Sequence, residues 1–260
     1  MKKKIEKINC LLIDHFGIPP KAKKLPDPLD AIIGTILSQN TNDKNSYQAY
    51  CNLKNTFKNW DELALLKPSQ IEKYIKVAGL GKQKSKAIYQ LLQSLKQKQK
   101  KVSLDHIKLR QDDDILEELT SYNGVGVKTA SCVLLFSLGR NICPVDTHVH
   151  RTLNRIGLVK TNNPEKTFYD ILNRIPENTA HSFHTNLIRL GREFCKPSNP
   201  NCFACPLKKI CKYEQKIIDV NRKHKKIDFM LLDNLWLHAN LLFYMKSISL
   251  NFEIIIHTNN

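Results

Sequence analysis

The chain has 260 residues, enough for one large or two modest domains with a buried core. Apolar residues make up 42% of it and charged residues 25%, with only 9 Gly and 11 Pro, which excludes collagen-like and low-complexity chains. Lys and Arg outnumber Asp and Glu by 41 to 24, and the formal net charge of +17 favours a polyanionic partner such as a nucleic acid.

The basic N-terminus does not continue into an export signal, because Glu6, Lys7 and Asp14 interrupt what would be its apolar core. The longest uncharged apolar run, residues 234–245, is too short to span a bilayer. We therefore expect no membrane association and a cytoplasmic location, with the nucleoid if the source is a prokaryote. In that compartment the eight cysteines are expected to be thiols or metal ligands instead of disulfides.

Apolar residues at helical spacing predict helices along nearly the whole chain, and no segment alternates with the period of a strand before the last residues. The first helix includes Ile5 and Phe16 and ends at Gly17. A second helix is predicted to start at Asp30 as its N-cap, and Asp43 is predicted to cap the third. Periodicity alone therefore predicts an all-α fold.

Ser69 and Glu72 have the spacing of a capping box, and the helix that they open is predicted to end at Gly79. Further helices are predicted over residues 82–98, 112–122, 128–138 and 147–156, with one more before Cys195.

Two short segments share the pattern helix, Gly-x-Gly turn, helix. The first hairpin contains Gly79 and Gly81, and the second contains Gly124, Val125 and Gly126. Glycine permits positive φ at such a turn and lets backbone N–H groups approach an anion at the N-terminus of the following helix. The pattern therefore indicates either a binding site for a nucleic-acid phosphate or a plain tight turn.

A short proline-containing loop carries four cysteines: Cys195, Cys202, Cys205 and Cys211. Four convergent thiolates hold either zinc or a cubane iron-sulfur cluster, and the spacing does not distinguish the two. The other cysteines lack such spacing and are interpreted as small core residues: Cys10, Cys51, Cys132 and Cys143.

Lys128 lies in the first turn of an apolar helix, where burial and the helix dipole would weaken its hold on a proton. A lowered pKa is what an amine nucleophile requires. The alternative interpretation is a lysine that pairs with a backbone phosphate. Asp146 stands at the start of the next predicted helix, where the alternative to a catalytic role is an ordinary N-cap. The two residues meet only if the chain folds back on itself.

Three motifs, in the same order along the chain, resemble endonuclease III of the helix-hairpin-helix DNA glycosylase superfamily. They are residues 122–130, residues 145–151 and the four-cysteine loop. The resemblance extends over residues 25–218. It implies a bifunctional enzyme of base-excision repair, both a DNA glycosylase and an apurinic/apyrimidinic (AP) lyase.

The same resemblance implies an all-α, two-lobed fold. One lobe has six helices and covers residues 30–138, while the other is discontinuous and covers residues 1–29 and 139–220. A [4Fe-4S] cluster on the four cysteines would close the second lobe. Residues 221–260 have no counterpart that the resemblance explains, and we expect partial order there.

By this resemblance Lys128 is the nucleophile and Asp146 the catalytic aspartate. The implied substrate is double-stranded DNA with a damaged base or an abasic site, most often an oxidised pyrimidine. Attack by the amine would release the base and form a Schiff base, and β-elimination would then cut the strand.

The resemblance also implies a loop that fills the gap left by the extruded base. Either Gln39 or Asn40 would enter the gap, and the alternative for both is capping of a helix. The other implied DNA contacts are Gly79, Gly81, Gly124, Val125, Gly126, Thr129, His148 and Arg151.

Two other classes of protein compete with this interpretation. A monofunctional mismatch or uracil glycosylase is disfavoured by Lys128, because that class usually lacks a nucleophile there. A non-catalytic DNA-binding or iron-sulfur redox protein is disfavoured because both Lys128 and Asp146 are present. We expect a monomer.

Overall fold

The computed structural model describes residues 1–213, and this part of the chain is helical, with no strand. Its α-helices are α1 Lys2–Phe16, α2 Pro28–Ser38, α3 Asp43–Thr56, α4 Trp60–Leu63, α5 Pro68–Ile75, α6 Gly81–Gln99, α7 Asp112–Thr120, α8 Val127–Phe136, α9 Thr147–Ile156, α10 Pro164–Ile171 and α11 Ala180–Glu193. Short 3-10 turns lie at Lys76–Ala78, Asp105–Leu109 and Leu172–Arg174. The all-α prediction is confirmed.

The predicted start of α2 was wrong. Asp27 is the N-cap, since its Oδ1 accepts from the backbone N–H of Leu29 at 2.9 Å, and Pro28 occupies the first helical turn. Asp30 lies inside the helix, and its carboxylate instead accepts from Trp60 Nε1 at 2.7 Å. A tertiary contact therefore uses the side chain that we assigned to the cap.

Two further predicted caps were wrong. Asn42, not Asp43, caps α3, because its Oδ1 accepts from the N–H of Asn45 at 2.8 Å. At α5 the predicted box of Ser69 and Glu72 does not form. The helix starts after Lys67, and Gln70 Oε1 accepts from the N–H of Lys67 at 2.8 Å.

The apolar helices pack in two groups. In the first, α2 packs against α3, α6 and α8. It contributes four fully buried side chains: Ile32, Ile33, Ile36 and Leu37. In the second, α1 and α9 pack against α11, and α10 packs against α9, while α8 also reaches α11. The lobe boundaries themselves stay a prediction.

Apart from residues 21–23, the described residues form one compact unit. Our expectations for residues 221–260 lie outside the described residues. Within residues 1–213, no helix has the length and apolar character needed to cross a membrane.

Candidate active site and nucleic-acid interface

The second hairpin joins α7 to α8 and places Lys128 in the first turn of α8. Its turn is closed by the N–H of Val125, which donates to the carbonyl of Tyr122 at 3.1 Å. The hydroxyl of Tyr122 in turn donates to Glu118 Oε1 at 3.0 Å, which ties the hairpin to α7. Lys128 is half-buried.

The two glycines of the second hairpin differ in the space around them. Gly124 has φ 84, and a Cβ added there would lie 2.6 Å from the Cβ of Ala87 in α6. This glycine therefore allows the hairpin to approach α6 closely, which the sequence did not indicate. Gly126 has φ −90, and a Cβ there would meet no atom within 4 Å. The space beside Gly126, at the N-cap of α8, is therefore open.

The first hairpin is built differently. Gly79 has φ 70 and Leu80 has φ 50, so two successive residues are in the left-handed region. A Cβ on Gly81 would lie 3.2 Å from Glu72 Oε1, so a carboxylate of the chain itself lies beside the first turn of α6. A negative charge at that position opposes binding of a phosphate. The DNA contacts at Gly79 and Gly81 stay predictions, with Glu72 as a competing negative charge beside Gly81.

Lys128 and Asp146 act on the same two buried groups. Burial raises the pKa of the Cys132 thiol, which the positive charge of Lys128 lowers and the negative charge of Asp146 raises. The imidazole of His184 is subject to the charges of the same two residues. Lys128 and Asp146 therefore both lie within electrostatic range of Cys132 and His184, and their catalytic roles stay a prediction.

Asp146 is also the N-cap of α9. Its Oδ1 accepts from the N–H of Val149 at 2.8 Å, and the residue is half-buried. The capping interpretation is therefore confirmed, and it is compatible with a catalytic role because a carboxylate has a second oxygen. The cap fixes where the carboxylate points.

His184 is a component of the site that sequence reasoning missed. It is 3% exposed, and its Nδ1 donates to the carbonyl of Pro144 at 2.8 Å. Burial lowers the pKa of His184 to about 4, so the ring is neutral near pH 7. Its bond to Pro144 holds the segment that leads into Asp146. No motif could have indicated this, because the partner is a backbone carbonyl distant in sequence.

The loop between α2 and α3 presents the two candidate gap-filling residues. Asn40 is exposed and has φ 50, whereas Gln39 is half-buried. Since Asn42 caps α3, Asn40 is not needed for that purpose.

Two other predicted DNA contacts have side chains directed inward. Thr129 is 3% exposed. Arg151 donates to the carbonyls of Gly191 and Cys195, at 2.9 and 2.8 Å. Its guanidinium is therefore engaged within the protein. DNA contacts by Thr129 and Arg151 stay predictions. His148 is half-buried beside Arg151, with Nδ1 at 3.1 Å from Nη2.

The four-cysteine loop follows α11 and is held by a second arginine of α9. Arg155 donates to the carbonyls of Lys196 and Pro197, at 2.7 and 2.9 Å, and to Cys195 Sγ at 3.5 Å. α9 therefore carries Asp146 at its N-terminus and contacts the loop from its C-terminal half.

The four thiols of this loop are all half-buried. Burial raises the pKa of Cys205 to about 11, and the other three cysteines of the loop act on it electrostatically as well. As placed in residues 1–213, no three His, Cys, Asp or Glu side chains form a closed metal-binding group. The donor set, four half-buried thiols in one loop without a disulfide, fits a four-thiolate group in its chemistry.

The HhH-GPD superfamily base excision DNA repair protein family matches residues 33–177, more than half of the chain. An endonuclease III of Thermotoga maritima is 36% identical over 209 residues, which cover 80% of this chain and 92% of the relative. An endonuclease III of Sulfolobus acidocaldarius is 31% identical over 185 residues, which cover 70% and 80%. The chain belongs to the endonuclease III family within this superfamily.

Solved structures agree on the fold. An endonuclease III trapped as a covalent intermediate with DNA matches with a TM-score of 0.69 at 24% identity, over 82% of this chain and 96% of that one. A thermostable thymine-DNA glycosylase matches with a TM-score of 0.64 at 19% identity, over 83% and 98%. The predicted helix-hairpin-helix glycosylase fold is confirmed.

The family also confirms the predicted class of function. The chain is a base-excision repair enzyme, a bifunctional DNA glycosylase and AP lyase. The two competing classes of the sequence analysis are thereby set aside.

Proposed function

We propose that Lys128 is the nucleophile of this enzyme and Asp146 its catalytic carboxylate. The observation that carries the proposal is their placement in the fold: Lys128 lies in the first turn of α8 and Asp146 caps α9, and both fall within the residues 33–177 that the family matches. A half-buried lysine and a carboxylate whose direction is fixed by a helix cap form a pair suited to attack at a sugar carbon.

The reaction begins when the damaged nucleotide leaves the base stack, at a cost that is smallest where pairing is already weak. Lys128 attacks as the neutral amine, while the Asp146 carboxylate stabilises the positive charge that develops at C1′. The amine nitrogen bonds to C1′ while the bond from C1′ to the base breaks, and the base leaves with the bonding pair. Asp146 accepts a proton from the nitrogen once the new bond has formed. The C1′–O4′ bond of the resulting glycosylamine then breaks as Asp146 returns its proton to O4′, and a protonated Schiff base between Lys128 and C1′ is left. This Schiff base acidifies the C2′ proton, and loss of that proton breaks the bond from C3′ to the phosphate oxygen.

We infer that the substrate is duplex DNA carrying an oxidised pyrimidine or an abasic site. Gln39 or Asn40 would occupy the space left by the extruded nucleotide, and the exposed, left-handed Asn40 is better placed. The N–H groups around Gly126 would hold a backbone phosphate, because that approach is open. Gly124 and Val125 contribute the backbone of the same hairpin, and His148 remains a candidate contact.

We infer that Cys195, Cys202, Cys205 and Cys211 hold a [4Fe-4S] cluster. Such a cluster, when bound, cross-links four thiolates and leaves no open position for substrate, so its part here is structural. The contacts from Arg155 to the loop backbone support this assignment, because they fix the loop that carries the thiols. The monomeric state, the two-lobe boundaries and the cytoplasmic location with the nucleoid stay predictions.

Borohydride trapping tests the nucleophile. Lys128→Gln should abolish both the trapped adduct and strand cleavage on a duplex with one abasic site, because an amide cannot form a Schiff base. Lys82→Gln is the matched control, since Lys82 is likewise the second residue of its helix but is exposed. Covalent trapping by Lys128→Gln would show that the nucleophile lies elsewhere.

A further inference from the structure

The ammonium group of Lys84 lies in the protein interior. The residue is 1% exposed, and its Nζ donates to the carbonyls of Leu37 and Ala78, both at 2.8 Å. The ion pairs formed among residues 1–213 do not include it. Burial lowers the pKa of Lys84, so the two carbonyls have to compensate for lost solvation. Because desolvation of a buried ammonium is unfavourable, we looked for a function of Lys84.

Both acceptors belong to the ends of helical segments. Leu37 lies in the last turn of α2, and Ala78 ends the 3-10 turn that precedes the first hairpin. Carbonyls at such ends lack partners within the helix and carry the negative end of the helix dipole. A single buried cation therefore satisfies two helix ends and fixes their separation.

The position of Lys84 on α6 adds a second connection. Ala87, three residues further on the same helix, is the residue against which Gly124 of the second hairpin packs. Residues three apart on a helix are neighbours on one face. Hence α6 holds the end of α2, from which the Gln39 and Asn40 loop departs, and also the hairpin that leads to Lys128.

We propose that Lys84 is a positioning residue that sets the place of the gap-filling loop relative to the nucleophile. The inference rests on the proposed roles of Gln39 or Asn40. Without the ammonium, the Leu37 carbonyl at the end of α2 loses its partner and the loop after α2 can shift. A shift of this kind impairs extrusion of a paired base but leaves the chemistry at Lys128 intact on a site that needs no extrusion.

The test compares two substrates under single-turnover conditions. Lys84→Met keeps the length and helix propensity of the side chain but donates no hydrogen bond. Base release from an oxidised pyrimidine in duplex DNA should slow by ~10- to ~100-fold, while cleavage of an abasic site in single-stranded DNA should stay within ~3-fold. Ser85→Ala is the matched control, because this buried neighbour donates only to Lys82 within α6, and both rates should be kept.

Combining Lys84→Met with substitutions in the loop distinguishes a positioning role from general destabilisation. In a Gln39→Ala, Asn40→Ala background, where duplex base release is already slow, Lys84→Met should add less than ~2-fold. Lys84→Gln, which can serve one carbonyl, should lie between Lys84→Met and the parent and provides the test if the methionine variant does not fold.

Equal slowing on both substrates, or full additivity with the loop variant, would overturn the positioning role. A loop variant that releases bases at the parental rate would overturn it as well. The assignment of the nucleophile fails on a different result, covalent trapping by Lys128→Gln, so the two failures are distinguishable.

Discussion

Replacing Gly124 by alanine tests the seating of the second hairpin on α6. An L-residue at φ 84 costs about 1–2 kcal/mol. The new Cβ would also stand 2.6 Å from that of Ala87, whereas carbon atoms pack best at about 3.5–4.0 Å. Relief of such overpacking costs about 1–3 kcal/mol. Gly124→Ala should therefore lower the free energy of unfolding by about 2–5 kcal/mol.

Urea unfolding of the two single variants and the double variant separates these contributions. Ala87→Gly alone should cost about 1 kcal/mol through helix propensity, but it removes the clash. The double variant should therefore be about 1–3 kcal/mol more stable than the sum of the single effects predicts. Additivity within ~0.5 kcal/mol would refute the contact. Gly126→Ala, with an open Cβ position, should cost no more than about 1 kcal/mol.

Three further results are expected. Asp146→Asn keeps the cap on α9, since Asn is an equally good N-cap. This variant should slow base release by at least ~10²-fold in single-turnover assays. Base release at the parental rate would exclude a catalytic carboxylate at this position. Cys205→Ala should give protein without visible absorbance or bound iron, whereas Cys51→Ala keeps both; a coloured Cys205→Ala protein would contradict the cluster assignment. The folded pKa of His184 is about 4 and its ordinary value 6.5, so the unfolded chain binds more protons between them. The free energy of unfolding should therefore fall by about 3 kcal/mol as the pH drops through that window. Urea unfolding across pH should show that His184→Asn abolishes this part of the loss. An unchanged pH profile in the variant would assign the loss of stability to other groups.

Periodicity located the long helices because each buries a regular apolar stripe. The bounds predicted for α9 agree with the structure, and α6 differs by one residue at each end. The short helices α4 and α10 were missed, although Asn59 and Asn163 cap them, because so few residues carry little periodic signal. The caps assigned to Asp30 and Asp43 failed because a neighbouring residue of equal capping ability was available in each case.

In the site, too, residues defined by adjacent sequence could be predicted, whereas contacts between residues distant in sequence could not. The motif positions of Lys128 and Asp146 were readable because a few adjacent residues define them. The partners of Lys84, Arg151 and His184 were not, because each donates to backbone carbonyls that chain folding brings near. A carbonyl is present in every residue, so no sequence pattern marks it as the acceptor. The surface pattern of α6, rich in lysine, also gave no reason to bury one of them.

Contacts at both ends of α9 constrain the number of residues in this helix. Asp146 caps its first turn, while Arg151 and Arg155 contact the backbone from Gly191 to Pro197. Each residue added to a helix rotates its remaining turns by about 100° and advances them by about 1.5 Å. One insertion between Asp146 and Arg151 would turn both guanidinium groups away from the loop as long as the N-terminal cap stays in place. Point substitutions on the exposed side of α9 are therefore tolerable in a way that insertions and deletions are not.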